Sequence, residues 1–184
     1  FTQSGSFTDP GADTWTATVD YGDGSGVQTL VLTGKTFSLS HTYADNATLP
    51  ATGYAVTVCV TDDEEAKDCD TILVTVRNVL PTVDAGPGAT LNEGDTFSGG
   101  GSFSDPGADT WTATVNYGDG SGMQALTLNA DSTFSLSHNY LDNGSYTVTV
   151  TVTDDDGGVG TDTAVVTVLN VAPVAAIDTA TQTQ

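Results

Sequence analysis

The chain has 184 residues, of which 24 are acidic and only 3 are basic, so its formal net charge is −21. This balance excludes nucleic acid as a partner, because contacts to phosphate require clustered Lys and Arg, and it argues against an anionic membrane surface. No apolar run approaches the ~20 residues that a membrane-spanning helix needs, so we expect no membrane span.

Short segments in which apolar and polar residues alternate follow one another along the chain, which is typical of half-buried β-strands. In the first half they cover Trp15–Tyr21, Phe37–Tyr43, Tyr54–Val60 and Ile72–Val76. In the second half they cover Trp111–Tyr117, Phe134–Tyr140, Tyr146–Val152 and Ala164–Val168. Gly, Asp and Pro turns separate them, and no window has a helical period with caps. The pattern predicts an all-β chain of antiparallel, Ig-like sandwiches.

The two halves are copies of one unit. Ser6–Val19 recurs at Ser102–Val115 with one substitution and an offset of 96, and Val58–Val79 aligns with Val150–Val171 at an offset of 92. A unit of about 92 residues is too long for a solenoid repeat and suits a small sandwich domain. The sequence therefore predicts two domains in tandem.

The repeat is out of phase with the ends of the chain. Residues 80–86 form an apparent first strand that the first copy lacks, and 171–178 resemble the opening of a third copy. We therefore predict a domain at 1–79 without its first strand, a complete domain at 80–171, and an extended tail at 172–184. The tail either begins a next repeat of a longer covalent array or donates a strand to a second copy, and both alternatives predict a fibre. In either case the tail should leave the second domain, and a segment from outside 1–79 should complete the first sheet.

Three motifs recur in the same order in both copies. They are Val19-Asp20-Tyr21-Gly22-Asp23-Gly24 with Val115–Gly120, His41-Thr42-Tyr43 with His138-Asn139-Tyr140, and Val60-Thr61-Asp62-Asp63 with Val152–Asp155. They resemble the W-D-F-G-D-G, H-x-Y and V-T-D-x motifs of PKD (polycystic kidney disease) domains, with Val for Trp, Tyr for Phe, and Asn116 for the first Asp. The resemblance implies an extracellular Ig-like module that spaces, stiffens or adheres, without catalysis.

The turns carry local signals of their own. The Tyr-Gly-Asp-Gly stretches predict hairpin turns whose glycines take positive φ while the Asp binds nearby amides. Asp142-Asn143-Gly144-Ser145-Tyr146 resembles the tyrosine corner of Ig-like sandwiches, in which the phenol binds backbone. The first copy keeps Asp45, Gly53 and Tyr54 around a longer turn.

The two histidines, His41 and His138, do not suggest an enzyme. Each lies on the inward side of its strand, and the neighbouring Ser40 points to the opposite face, so no nucleophile stands beside a base. The same layout in both copies predicts a structural hydrogen bond near the sheet edge. Two histidines and two cysteines on different faces do not make a zinc site.

The two cysteines indicate a disulfide. Cys59 and Cys69 face outward on strands joined by one turn, and a hairpin centred on Glu64 places them opposite each other. The second copy has Thr151 and Thr161 at these places, an ordinary cross-strand pair. A disulfide suggests an oxidising compartment, whereas two free thiols would fit a cytosolic protein.

Acidic loops give the strongest indication of a ligand. In an Ig-like sandwich the domain start, the B–C loop and the F–G loop share one end, where carboxylates repel unless a cation neutralises them. Ca²⁺ accepts 6–8 oxygens in flexible geometry. The candidate ligands are Asp84, Asp105, Asp109, Asp154 and Asp155 in the second copy, and Asp9, Asp13, Asp62 and Asp63, with Glu64 nearby, in the first. Some PKD domains bind calcium at this end; the alternative is a solvated acidic surface.

Asn46 and Asn143 each begin an N-x-[S/T] sequence in equivalent turns, which is compatible with glycosylation, although turns are rich in these residues by chance.

Together these features predict a non-enzymatic structural repeat of an extracellular fibre, stalk or surface adhesin, calcium-stiffened and assembled head to tail with neighbouring copies. The alternative is an accessory module of a secreted hydrolase that presents a sheet face to a glycan or protein ligand. That function needs exposed aromatic side chains on a flat face, and the inward position of Trp15 and Trp111 counts against it.

Overall fold

The computed structural model describes residues 1–47 and 52–177. All regular structure within these ranges is β-strand, which confirms the predicted fold class. No helix that could span a membrane occurs among these residues. The chain divides into two compact units, one of Phe1–Val79 with Gly107–Asp109 and one of Leu80–Pro106 with Thr110 onward.

The first unit is a sandwich of two antiparallel sheets built from seven strands. One sheet has the order β1-β5-β4 and the other β3-β2-β6-β7. The strands are β1 (Thr2–Ser6), β2 (Trp15–Asp20), β3 (Gln28–Leu30), β4 (Leu32–Thr33), β5 (Thr36–Ser40), β6 (Tyr54–Asp62) and β7 (Lys67–Val74).

The second unit repeats this plan in eight strands: it adds β8 and β9, and an isolated bridge between Leu128 and Phe134 stands in place of β4. One sheet has the order β13-β10-β8 and the other β12-β11-β14-β15-β9, with β9 parallel to β15. The strands are β8 (Thr82–Asp84), β9 (Ala89–Asn92), β10 (Thr96–Ser104), β11 (Trp111–Asn116), β12 (Met123–Leu126), β13 (Thr133–Asn139), β14 (Gly144–Asp154) and β15 (Val159–Leu169).

Period-two patterning fills the core of each unit from both sheets. In β14, Val148, Val150 and Val152 are 0% exposed, while the intervening threonines face outward and are only partly covered. On the equivalent strand β6 of the first unit, only Val56 is fully buried, and Val58 and Val60 are half-buried. The same side chains are less covered because the first unit has no counterparts of β8 and β9 among its described strands.

The eight strands expected from alternation are all present, and residues 80–86 contain β8. Two of them are shifted: the strand expected at Phe37–Tyr43 ends at Ser40, and the one expected at Ile72–Val76 begins at Lys67 and ends at Val74. The sequence did not reveal the glycine-containing strands β1 and β10, the parallel strand β9, or the short strands β3, β4 and β12.

The described part of the tail forms no strand. Val171 donates its amide to Glu93 Oε1 at 2.7 Å, and Val174 and Ile177 are 95% and 98% exposed. The departure of the whole tail from the second domain stays a prediction. Asp178 and the residues after it lie outside the described part of the chain. The β1-β5-β4 sheet contains only strands of the first unit, so no segment of the same chain completes it among the described residues. Completion by another chain stays a prediction.

Candidate functional site

The Tyr-Gly-Asp-Gly turns form as predicted. Gly22 and Gly24 have φ values of 76° and 84°, in the left-handed region that glycine enters without steric cost. Asp20 Oδ1 accepts a hydrogen bond from the Gly22 amide at 2.9 Å, and Asp23 Oδ1 accepts one from the Ser25 amide at 3.0 Å. Asn116 and Asp119 make the same two bonds in the second unit, so the Asn for Asp replacement leaves the turn intact.

Oδ2 of each turn aspartate contacts a histidine at the end of a strand of the opposite sheet. In the first unit, His41 Nε2 lies 2.6 Å from Asp23 Oδ2. The imidazole stacks on Tyr21 with ring centroids 4.1 Å apart and meets the edge of Tyr43 at 4.8 Å. The hydrogen bonds from Ser25 and His41 lower the pKa of Asp23 from 3.8 to about 2. The predicted structural role of the histidine is confirmed.

The second unit has the same cluster, in which the tyrosine equivalent to Tyr43 is fully buried. His138 Nε2 lies 2.7 Å from Asp119 Oδ2, and the imidazole stacks on Tyr117 at 4.2 Å. Tyr140 is 0% exposed and donates its hydroxyl to the Tyr117 carbonyl at 3.0 Å. Burial raises the pKa of the Tyr140 phenol to about 12, with a smaller contribution from the Asp119 charge. These His–Asp–Tyr clusters fasten a turn of one sheet to a strand end of the other.

The predicted tyrosine corners are present in both units. Tyr54 donates its hydroxyl to the Asp45 carbonyl at 3.0 Å, and Tyr146 donates to the Asp142 carbonyl at the same distance. The Tyr54 ring stacks on Tyr43 at 4.5 Å, which joins the corner of the first unit to its His–Asp–Tyr cluster.

The predicted disulfide joins Cys59 and Cys69, which are register partners on β6 and β7. Their counterparts Thr151 and Thr161 are register partners on β14 and β15, with hydroxyl oxygens 3.4 Å apart. The fold therefore accommodates either a disulfide or a pair of threonines at this cross-strand position.

Two of the proposed calcium ligands bind an indole instead of facing a common point. Trp15 Nε1 donates to Asp9 Oδ2 at 2.6 Å, and Trp111 Nε1 donates to Asp105 Oδ2 at 2.9 Å. The second oxygen of Asp105, Oδ1, is buried and has no hydrogen-bond partner among the described residues. Sequence reasoning missed the indole contact, although the identical six-residue spacing in the two copies was a usable signal.

Other candidate ligands organise the turns at the same end of each unit. Asp62 Oδ1 accepts the amides of Glu64 and Ala66 at 3.0 and 2.8 Å. Asp154 is buried, and its Oδ1 accepts the amides of Asp156 and Gly158 at 3.1 and 2.6 Å. These carboxylates therefore accept hydrogen bonds from backbone amides within the hairpin that joins the last two strands of each sandwich.

The loop before β2 and the hairpin after β6 meet at one end of the first unit. The Thr14 amide donates to Asp63 Oδ1 at 3.1 Å. Carboxylate oxygens of Asp13, Asp63 and Glu64 lie within 4.8 Å of one another, and the Asp63 charge raises the pKa of Glu64. Of the carboxylates predicted for this unit, the structure brings Asp13, Asp63 and Glu64 together, whereas Asp9 binds an indole and Asp62 binds backbone amides.

The second unit repeats the contact between the loop before β11 and the hairpin after β14. Asp84, the first of its predicted ligands, lies elsewhere. The Thr110 amide donates to Asp155 Oδ1 at 2.8 Å, and the adjacent Asp109 is buried. Asp84 lies opposite Ser102, whereas Thr82 lies opposite Ser104 beside the loop. Asp84 is therefore two residues further from the acidic loop than Thr82. Its Oδ1 accepts a hydrogen bond from the Gly86 amide at 2.9 Å.

The asparagines of both N-x-[S/T] sequences lie in the tyrosine-corner turns. Asn143 is exposed and Asn46 is half-buried. The backbone amide of each donates a hydrogen bond to the side chain of the preceding aspartate, at 2.9 and 2.7 Å. Thr48 lies outside the described residues, and glycosylation stays a prediction.

The family model of the PKD domain matches residues 1–76 and 78–168. Among solved structures, the PKD domain of an M14-like peptidase from Thermoplasmatales archaeon SCGC AB-540-F20 is 22% identical, covering 50% of this chain and 99% of that one, with a TM-score of 0.40. The PKD domain of human KIAA0319 is also 22% identical, covering 55% of this chain and 93% of that one, with a TM-score of 0.34.

The titin domains z1z2, solved in complex with telethonin, are similar over both units. They are 14% identical and cover 94% of this chain and 89% of that one, with a TM-score of 0.52, which supports a tandem Ig-like fold. No curated relative matches this chain. Two consecutive family matches and two copies of the same turn, histidine cluster and tyrosine corner lead to one conclusion: the chain belongs to the PKD domain family, as a tandem pair.

Proposed function

We propose that this chain is a non-enzymatic structural repeat module of an extracellular fibre, stalk or surface adhesin. The observation that carries the proposal is the His–Asp–Tyr cluster, which occurs in both units with nearly the same distances. It contains the only histidines of the chain, and each imidazole is stacked on a tyrosine and bound to an aspartate. A module that carries force or sets a spacing needs such a contact between its two sheets in every repeat.

An extracellular location fits the chemistry of the chain. The Cys59–Cys69 disulfide persists in an oxidising environment. A net charge of −21 keeps a repeated module soluble through mutual repulsion. Trp15 and Trp111 pack edge-to-face on Phe7 and Phe103 and do not form a flat exposed aromatic face. This packing favours a structural module over an accessory binding module.

We further propose that calcium stiffens the first unit at Asp13, Asp63 and Glu64. Three carboxylates with oxygens within 4.8 Å of one another repel, and a hard cation with oxygen ligands relieves that repulsion. The raised pKa of Glu64 is the physical sign of this repulsion. In the second unit, Oδ1 of Asp105, the counterpart of Asp9, is buried without a hydrogen-bond partner among the described residues, and a cation bound there would satisfy it.

We also propose that copies associate head to tail, with the tail of one copy completing the first unit of the next. The support is the open edge of β1 together with the exposed tail, whose residues 171–173 (Val-Ala-Pro) repeat the Val-Leu-Pro of 79–81. A heterologous contact of this kind extends into a filament because it does not close on itself.

Single-molecule stretching of the full chain tests the structural role. We expect two discrete unfolding events at forces well above those of an unstructured linker. With the disulfide intact, the event of the first unit should release about 4 nm less chain, because about 10 residues stay locked inside the Cys59–Cys69 loop. Reducing agent should restore that length and leave the second event unchanged. Extension without discrete events would contradict a mechanical module.

A further inference from the structure

The second unit presents an edge strand, β12, that lacks the usual protection against pairing with another strand. β12 ends the five-stranded sheet, so one side of its backbone has no neighbouring strand among the described residues. Exposed edges are commonly protected by a charged residue, a proline or a bulge. The eleven positions from Gly120 to Ala130 contain no charged residue and no proline. A further extended strand can therefore approach the backbone amides and carbonyls of β12.

The other edges of the same unit differ from β12. β8 contains Asp84, and β9 lies between Pro87 and Glu93. β13, at the edge of the smaller sheet, is bridged at Phe134 by Leu128. The neutral and open edge is thus a property of β12 itself and not of every edge strand in this fold.

Apolar side chains face solvent along this edge. Met123 is 76% exposed, and Ala125 and Thr127 are exposed as well. The three residues are two positions apart, so they project from the same face of the sheet. That face is the outer one, because Ala125 lies opposite Thr114, which alternates with the buried Val115. An exposed apolar stripe beside an open edge is typical of a strand that pairs with a partner.

The first unit repeats this edge with different side chains. Its edge strand β3 lies within residues 24–34, which are also eleven consecutive uncharged positions. Val27 and Val31, the counterparts of Met123 and Thr127 at an offset of 96, are 67% and 79% exposed. The two copies therefore differ in sequence here but share a neutral edge with exposed apolar side chains.

The charge of the chain favours a second copy as the occupant of this edge. Two copies that each carry a formal charge of −21 repel one another wherever their acidic loops approach. The acidic residues nearest to β12 along the chain are Asp119 and Asp131, which lie outside the neutral segment at its two ends. Pairing of two such segments brings neutral residues together. An antiparallel strand also complements itself, because each copy supplies both donors and acceptors.

The alternation of side chains restricts the register of such a pair. In a continuous antiparallel sheet, directly opposite residues project from the same face, so two copies of one strand must pair residues whose numbers have an even sum. The twofold axis then passes through a residue and not between two residues. An axis at Ala125 places Met123 opposite Thr127 and includes the whole exposed stripe.

We infer that β12 pairs antiparallel with β12 of a second copy about a twofold axis at Ala125, which joins two five-stranded sheets into one. This association is side by side and goes beyond the function proposed above. Five residues from each strand bury far less than the about 1,600 Å² of a standard interface, so a single pair is weak. Many repeats held on one fibre strengthen it, because the effective concentration of the edges rises.

Cysteine cross-linking of the full chain tests the axis. Ala125→Cys should form a disulfide with its own copy on oxidation at about 1 mM protein, because directly opposite residues have Cβ atoms about 4.5–5.5 Å apart. Met123→Cys is the matched control on the same exposed stripe. In this register it lies about 13 Å from its own copy, so it should not cross-link. Peptide mapping by mass spectrometry identifies the bond and checks that Cys59–Cys69 stays intact. Equal cross-linking at both positions, or none at either, overturns the inference.

Sedimentation equilibrium measures the association without a covalent bond. Ala125→Lys places two like charges opposite each other and should weaken association about tenfold or more, whereas Ala125→Val should tighten it severalfold. Thr147→Lys adds the same charge at an exposed position of β14, two strands from the edge, and should not weaken association. Raising the salt concentration from about 0.02 M to about 0.5 M should strengthen association of the wild-type chain by screening its charge.

Circular dichroism melting of each variant checks that both units are folded. Association that Ala125→Lys leaves undiminished would assign the contact to another surface and overturn the inference, while the head-to-tail assembly proposed above would stand. Equal weakening by Ala125→Lys and Thr147→Lys would likewise exclude the edge of β12 as the contact.

Discussion

The Nε2 atom of His41 lies 2.6 Å from Oδ2 of Asp23, and this contact joins the turn after β2 to the end of β5 in the opposite sheet. The other oxygen of Asp23 accepts the Ser25 amide, so one carboxylate fixes its own turn and anchors it across the sandwich. His138 and Asp119 repeat the contact at 2.7 Å. The contact spans 18 residues in one unit and 19 in the other, so it closes a long loop in each.

Replacing either turn aspartate should destabilise only the unit that contains it. We expect Asp23→Asn and Asp119→Asn each to lower the free energy of unfolding of that unit by about 1–2 kcal/mol, because the charge-assisted bond to histidine is lost. Calorimetry that resolves the two transitions measures the effect. Asp131→Asn, which alters an exposed turn carboxylate bound to Thr133, is the control with little expected change. Equal losses of stability in all three variants would contradict a particular stabilising role of the His–Asp contact.

The lowered pKa of Asp23 also predicts the direction of acid sensitivity. Its pKa falls from 3.8 to about 2 on folding, so its contribution to stability is complete above about pH 4. That contribution is lost as the pH falls through about 2, where the folded protein also binds the proton. Urea unfolding of the first unit between pH 4 and pH 2 should therefore show falling stability, and Asp23→Asn should flatten this decline. An unchanged slope in the variant would assign the acid sensitivity to other carboxylates.

Removing the disulfide should weaken the first unit alone. The Cys59–Cys69 link closes a loop of about 11 residues, so the loop-closure model limits its contribution to about 3 kcal/mol. A double replacement of Cys59 and Cys69 by Thr reproduces the pair that the second unit carries at Thr151 and Thr161. We expect this variant to fold, with its first melting transition lowered and its second unchanged. A shift of both transitions would contradict a local effect.

Calcium should raise the melting temperature of the first unit, since a ligand that binds only the folded state stabilises it by mass action. Millimolar calcium and chelator are compared at constant ionic strength, which separates binding from general screening. The Asp63→Asn and Glu64→Gln double variant, which removes two of the three clustered carboxylates, should abolish the difference. Identical melting curves of the wild-type chain in both solutions would remove calcium from the proposed function.

Adding a side chain at Gly160 should loosen the first strand of the second unit. A Cβ there would lie 2.1 Å from the Pro81 carbonyl oxygen, so we expect Gly160→Ala to cost about 1–3 kcal/mol. Hydrogen exchange should locate the loss of protection in β8 and the edge of β10 that pairs with it. Val159→Ala, at an adjacent position that is 49% exposed, is the control and should change stability by less than about 1 kcal/mol. Similar costs at both positions would contradict the close approach of the Pro81 carbonyl.

Local patterns in the sequence were enough to determine the strands that alternate, the tandem repeat, the turns and the disulfide. Alternation assigns faces by itself because successive side chains of a strand point to opposite sides. Cys59 and Cys69 could be paired because antiparallel register follows from the centre of a single hairpin. The family resemblance likewise depended on short motifs in a fixed order.

The glycine-containing strand β10 and the hydrogen-bond partners of the aspartates were decided by the tertiary structure. β10 contains three consecutive glycines, which local propensity disfavours in a strand, yet a Cβ at Gly101 would lie 2.0 Å from the Asp84 carbonyl oxygen of the neighbouring strand. Each aspartate could have bound a cation, an indole or an amide. The folded loop before β2 selected Trp15 for Asp9, and the approach of a strand end from the opposite sheet selected His41 for Asp23. A carboxylate accepts hydrogen bonds from any donor within reach, so its role depends on which donor the tertiary structure brings to it.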